Sequence, residues 1–132
     1  NARWQEFVMV MNGFETNFDD ENDFYAVNTY PFVYNEQPLR VERDRPIRVY
    51  LVNITEFDPI NSFHLHGNFF DYYDHGTTLE PTLRTVDTIM RYAVRRVICG
   101  PHLPRHEPGL YMFHAHQTEF AELGWMSHFE VV

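Results

Sequence analysis

Apolar and polar residues alternate in short runs along this chain, and no stretch keeps the three-and-four spacing of a long amphipathic helix. The clearest run is 46–53, where Ile47, Val49 and Leu51 alternate with Arg48, Tyr50 and Val52 behind Pro46, a residue tolerated at the first position of a strand. Further segments rich in Val, Ile, Tyr and Phe fall at 6–11, 24–27, 39–41, 62–66, 69–73, 85–90, 109–114 and 127–132. Short strands at this spacing predict an all-β Greek-key sandwich. Asn12 and Gly13, with the acidic, Asn-rich stretch 17–23, read as turn and solvated loop. One short helix is expected at 117–123, where Glu119, Ala121, Glu122 and Leu123 favour helix and Gly124 ends it. With no internal repeat or linker-like tract, residues 1–132 are expected to form a single domain.

Composition narrows the class. At 132 residues, 44% hydrophobic and 17% aromatic, the chain has material for one core. Its formal net charge of −9 argues against nucleic acid as a partner, because binding a phosphate backbone depends on clustered cations. The longest apolar runs, 7–11 and 49–52, are too short to span a bilayer, and the first residues lack the basic-then-apolar shape of a signal peptide. A lone cysteine, Cys99, excludes an internal disulfide and a four-cysteine metal site. Of eight histidines, four form two His-x-His pairs.

In 62–67 the pair is His64 and His66, followed by Gly67; in 110–116 it is His114 and His116, preceded by the aromatic run Tyr111, Met112, Phe113. Side chains two apart on a strand share a face, with Cα atoms roughly 6–7 Å apart, a spacing able to serve two adjacent ions or two corners of one cluster. A single such pair is as well explained by two half-exposed strand residues. Two pairs in one small chain point to metal, and imidazoles without a thiolate nearby suit copper or zinc.

These motifs resemble those of the multicopper oxidases. The family's C-terminal cupredoxin domain carries His-Pro-x-His-x-His-Gly and His-Cys-His-x-x-x-His-x-x-x-Gly-Met. Here the first motif reads Asn61-Ser62-Phe63-His64-Leu65-His66-Gly67, and the second runs from His114-Ala115-His116 through Phe120 to Gly124-Trp125. The stretches 8–13 and 56–62, and Asp87-Thr88, also look like family sequence, so the likeness covers most of the chain. It implies a cupredoxin-like sandwich in which His64 binds a type 2 copper, while His66, His114 and His116 bind the type 3 pair. The type 1 copper positions are all replaced, by Asn61, Ala115, Phe120 and Trp125. A blue-copper centre needs a Cys thiolate and two imidazoles, so none is expected in this chain.

The resemblance implies a laccase-like oxidase that reduces dioxygen to water at the trinuclear cluster, fed by a type 1 copper in another cupredoxin domain. The pattern is that of two-domain oxidases, which favours a homo-oligomer, a trimer foremost, and an extracytoplasmic location. Four histidines are half of the eight such a cluster uses. Glu119 falls where the family often has an acidic proton relay, and is equally readable as a solvated helix carboxylate. Phe120, Trp125 and Met126 are expected to fill the lost type 1 site. Asp71, Asp74 and His75 are candidates to orient the ligand rings, although strand-and-turn polarity explains Asp74 and His75 better. Cys99 is read as a lone thiol, His102 and His106 as loop residues, and His128 as surface. The segment 91–108 departs most from the family pattern: Pro101 and Pro104 would break a central ladder, so the strand there is expected to be shortened or displaced. The alternatives are the second domain of a copper nitrite reductase, which needs only one histidine from this side, and a non-catalytic copper-binding module.

Overall fold

The computed structural model describes residues 4–75, 77–92, 96–99 and 105–132. Among these residues the chain is an all-β sandwich with two short helices. One sheet has six strands in the order β2 (Phe24–Val27), β1 (Gln5–Phe14), β4 (Ile47–Asn53), β9 (Arg96–Cys99), β6 (Phe70–Tyr73), β7 (Leu83–Val86). The other has five, in the order β3 (Leu39–Val41), β11 (Met126–Val131), β10 (Gly109–His114), β5 (Ile60–Leu65), β8 (Thr88–Tyr92). Two pairings are parallel, β1 with β4 and β11 with β3; the rest are antiparallel.

Strand alternation builds the core. In β4, Ile47, Val49, Leu51 and Asn53 are buried while Arg48, Tyr50 and Val52 are half-buried, as the sequence pattern predicts. Met9, Met11 and Leu51 from the six-stranded sheet meet Phe63, Phe113, Phe129 and Trp125 from the other side. Phe63 packs edge-on against Phe70 and Trp125, with ring centroids 5.6 and 6.2 Å apart, and Phe113 lies 4.7 Å from Phe129. Each such side chain removed from water contributes about 1.5–3 kcal/mol.

Three expectations are revised. The first strand continues through Asn12 and Gly13 to Phe14, because Gly13 lets the Asn22 side chain pack where a Cβ would sit only 2.5 Å away. The single strand foreseen at 85–90 is two strands in different sheets, β7 and β8, separated by Asp87. Thr85, at φ 57, lies near this crossover. A helix not foreseen, α1 (Val33–Glu36), follows a turn with Asn28, Thr29 and Phe32 at positive φ. The foreseen helix forms as α2 (Thr118–Glu122).

In the segment 91–108, β9 pairs with β4 and β6 through the described residues Arg96–Cys99. The expectations for Pro101, His102, Pro104 and the Cys99 thiol lie outside the described residues. Among the described residues, no helix is long and apolar enough to cross a membrane.

Candidate metal centre

The two His-x-His pairs meet on the outer face of the five-stranded sheet. Strands β5 and β10 are antiparallel neighbours in which His64 stands directly opposite His114. Inward neighbours Phe63, Leu65 and Phe113 are buried, so alternation turns both imidazoles outward. Each pair's second histidine lies beyond the end of its strand. β5 ends at Leu65 and β10 at His114, so His66 and His116 sit in the turns that follow.

The rings converge. His64 has its ring centroid 5.2 Å from each of His66, His114 and His116, and His66 lies 5.4 Å from His114. His114 and His116 are 6.1 Å apart. Ligand atoms of His64, His66 and His114 all lie within 4.8 Å of one another. His64 and His114 are half-buried, whereas His66 and His116 are exposed.

Hydrogen bonds fix which nitrogen faces outward. His64 Nδ1 lies 3.0 Å from the Asp87 carbonyl and 2.7 Å from Thr88 Oγ1. His114 Nδ1 lies 2.6 Å from the Ala115 carbonyl. A carbonyl only accepts, so each Nδ1 carries the proton and each Nε2 keeps a free lone pair, the form in which imidazole binds a metal. Burial, then the neighbouring His114, holds the pKa of His64 below the ordinary 6.5, which keeps its lone pair available near neutral pH. Three imidazoles at this spacing, two of them tautomerically fixed, suit a transition-metal ion or a compact cluster.

Asp87 and Thr88 acquire their role only through the strand switch; the sequence offered them as family-like residues without a function. Ser62 and Gln117 were likewise unmarked. The His116 N–H donates to Ser62 Oγ at 2.6 Å, and the Ser62 hydroxyl is bonded to Gln117 Oε1.

The positions Asn61, Ala115, Phe120 and Trp125 are all buried behind the histidines. Ala115 N–H donates to the Trp125 carbonyl at 3.1 Å and Trp125 N–H to the Phe120 carbonyl at 2.8 Å, while the Phe120 ring stacks on Tyr25 at 4.2 Å. Three apolar side chains and the Asn61 amide thus occupy these positions, with no thiolate or imidazole among the four residues. Met126 does not join them: it pairs with His114 and takes the face opposite to buried Ser127 and Phe129. Asn61 Nδ2 and Trp125 Nε1 find no acceptor among the described residues.

The other candidates lie elsewhere. Glu119 is exposed in the first turn of α2 and lines a separate polar cavity of about 400 Å³ with Asp20, Glu21, Asn22, Tyr25 and Asp58. There Tyr25 donates to Asp58 at 2.5 Å, and burial together with that carboxylate pushes the phenol pKa upward. Asp71 accepts from Thr85 N–H at 3.3 Å and pairs with Arg84, and Asp74 accepts from Tyr72 at 2.8 Å, contacts that serve the β6–β7 pair. His75 is exposed, 3.7 Å from Asp74. His106 is in a loop beside Tyr111, and His128 is half-buried, hydrogen-bonded to Asn35 at 2.9 Å.

Comparison with known proteins bears on this arrangement. The family model described as "Multicopper oxidase" matches residues 8–132. A solved multicopper oxidase is 52% identical over 95% of this chain and 43% of its own, with a TM-score of 0.89. A blue copper oxidase from Nitrosomonas europaea (22% identity, 96% of this chain and 43% of that one, TM-score 0.76) shares the fold. So does a copper nitrite reductase from Nitrosomonas europaea (17% identity, 96% and 48%, TM-score 0.82). The chain therefore spans less than half the length of each of these three. No curated protein matches the sequence.

Proposed function

Because the chain belongs to the multicopper oxidase family, we propose that it is the C-terminal cupredoxin domain of such an oxidase and that its four convergent histidines are half of a trinuclear copper site. His64 is assigned to the type 2 copper, and His66, His114 and His116 to the type 3 pair. The observation that carries this reading is the cross-strand pair His64 and His114, with both Nδ1 atoms within hydrogen-bond distance of carbonyls and ligand atoms gathered within 4.8 Å together with His66. When bound, the copper ions supply the electron-accepting centre at which dioxygen is reduced to water.

The chain's own residues give that site its frame. β5 and β10 hold two imidazoles rigidly from the strand, and the turns after them add two more that face solvent. Exposed His66 and His116 leave room for ligands from a second cupredoxin domain, so the reading includes a partner domain with type 1 copper and a homo-oligomer, foremost a trimer. Buried Ala115, Phe120 and Trp125, standing where a type 1 copper would need its ligands, support a reading in which electrons enter from that partner. Glu119, three residues beyond His116 in sequence, is kept in this reading as the acidic residue of a proton path, one that would have to run from the separate cavity it lines to the histidines. An extracytoplasmic location belongs to the same reading. Two complete pairs weigh against the nitrite reductase alternative, which needs one histidine here.

The test is copper titration of the purified chain, alone and with a type 1-bearing cupredoxin domain, following bound metal, visible and EPR spectra, and oxygen uptake. The chain alone should bind copper without an intense blue thiolate band, and H64A and H114A should each reduce the bound copper. Oxygen uptake should require the partner. A blue band from this chain alone, or unchanged copper binding in both variants, would overturn the assignment.

A further inference from the structure

His116 is the one member of the quartet whose main-chain N–H is held by a side chain; His66, also in a turn, donates its N–H to the Met112 carbonyl of β10 at 2.9 Å. β10 ends at His114, Ala115 N–H turns away to Trp125, and the next free donor is the His116 N–H. That donor goes to Ser62 Oγ at 2.6 Å, a side chain fully buried in β5 two residues before His64. A hydroxyl that accepts from an N–H has one proton left to give, and the bond to Gln117 Oε1 takes it. The Gln117 amide then donates through Nε2 to the Ile60 carbonyl at 3.2 Å, returning to the strand that bears Ser62. The result is a closed, directional set of bonds joining residues more than fifty positions apart in sequence. Such a set is cooperative, because each bond polarises the next.

Packing does not duplicate this restraint. His116 is exposed and borders an open cavity of about 270 Å³ lined with Ser62, Thr88, Met90 and Gln117. We propose that Ser62 and Gln117 are positioning residues that set the His116 imidazole against His64, 5.2 Å between ring centroids, and so determine how tightly the site holds the metal that His116 binds. This rests on the copper reading above.

The test is a copper titration by equilibrium dialysis, with EPR of the loaded protein, on the parent chain, S62A, S62T, Q117A, H116A and the S62A/H116A double variant. S62A should lower copper affinity at the His116-dependent step about 10–100-fold, the usual effect of losing a group that orients a ligand, and should alter the EPR signal. S62T, which keeps the hydroxyl, should recover most of the loss. The double variant should bind no more weakly than H116A, because the serine acts only through that ring. If S62A fails to fold, Q117A carries the same comparison with a smaller expected loss. Unchanged affinity in both S62A and Q117A while H116A loses copper, or losses that add in the double variant, would overturn the clamp and leave the copper reading standing. A parent chain that takes up no copper would overturn both.

Discussion

Trp125 is a large side chain with no exposed surface, and its indole N–H finds no acceptor among the described residues. A buried donor without a partner costs about 1–3 kcal/mol, comparable to the cavity left by trimming one ring. Trp125→Phe should therefore change stability by no more than about 1 kcal/mol, because relief of the orphaned donor offsets the lost packing. Phe113→Ala, in the same core with nothing to relieve, should cost about 3–5 kcal/mol. Urea denaturation of the two variants checks the contrast, and a Trp125→Phe loss as large as that of Phe113→Ala would mean that the indole N–H is satisfied. At this scale the sequence was informative. The residue types at 61, 115, 120 and 125 already exclude a thiolate-and-imidazole copper site, and the spacing of His64, His66, His114 and His116 already suggests a shared face. What it could not supply were the partners of Nδ1, since a backbone carbonyl such as that of Asp87 leaves no mark on residue type.

Among the elements, the strands with clean alternation, such as β4, follow the sequence closely. Failures occur where one residue changes the role of its neighbours. Residues 85–90 keep an unbroken β-type pattern, yet the chain passes from one sheet to the other at Asp87, and alternation is indifferent to which sheet a strand joins. Gly13 reads as a turn residue in isolation and serves instead as clearance for Asn22. Gly124 shows the converse, ending α2 as expected. It has φ +130, and an added Cβ would lie 2.1 Å from the Tyr25 carbonyl and 2.7 Å from Pro31. Gly124→Ala should thus destabilise the fold by at least about 2 kcal/mol, through backbone strain and displacement of β2 from the end of α2. Thermal unfolding followed by circular dichroism measures this, and a loss under about 0.5 kcal/mol, the usual surface level, would show that the contact relaxes freely.

For the molecule as a whole, two partly buried histidines set an acid limit on the metal-free protein. Burial lowers the pKa of both His64 and His128 from 6.5, with His114 adding to the shift at His64. The fold then prefers the neutral rings, and the unfolded chain takes up protons at a pH where the folded chain does not. Stability is complete above 6.5 and declines as pH falls from there towards the lower folded values. The unfolding midpoint of the copper-free chain should be flat on the alkaline side of 6.5 and drop on the acid side, and His128→Gln should shallow that drop. A midpoint independent of pH across this interval would contradict the burial argument. The whole architecture was legible as a sandwich because strand spacing and hydrophobic alternation are properties of every segment. The strand order was not, because it depends on which edges find each other across long stretches of chain.

The Asp87 carbonyl receives both the Leu65 amide and the His64 ring just where the polypeptide passes between the two layers. A metal gripping His64 would act as a rivet through that point. Loading the site and locking the layers together would then be a single mechanical event, and the empty protein would loosen first at this seam.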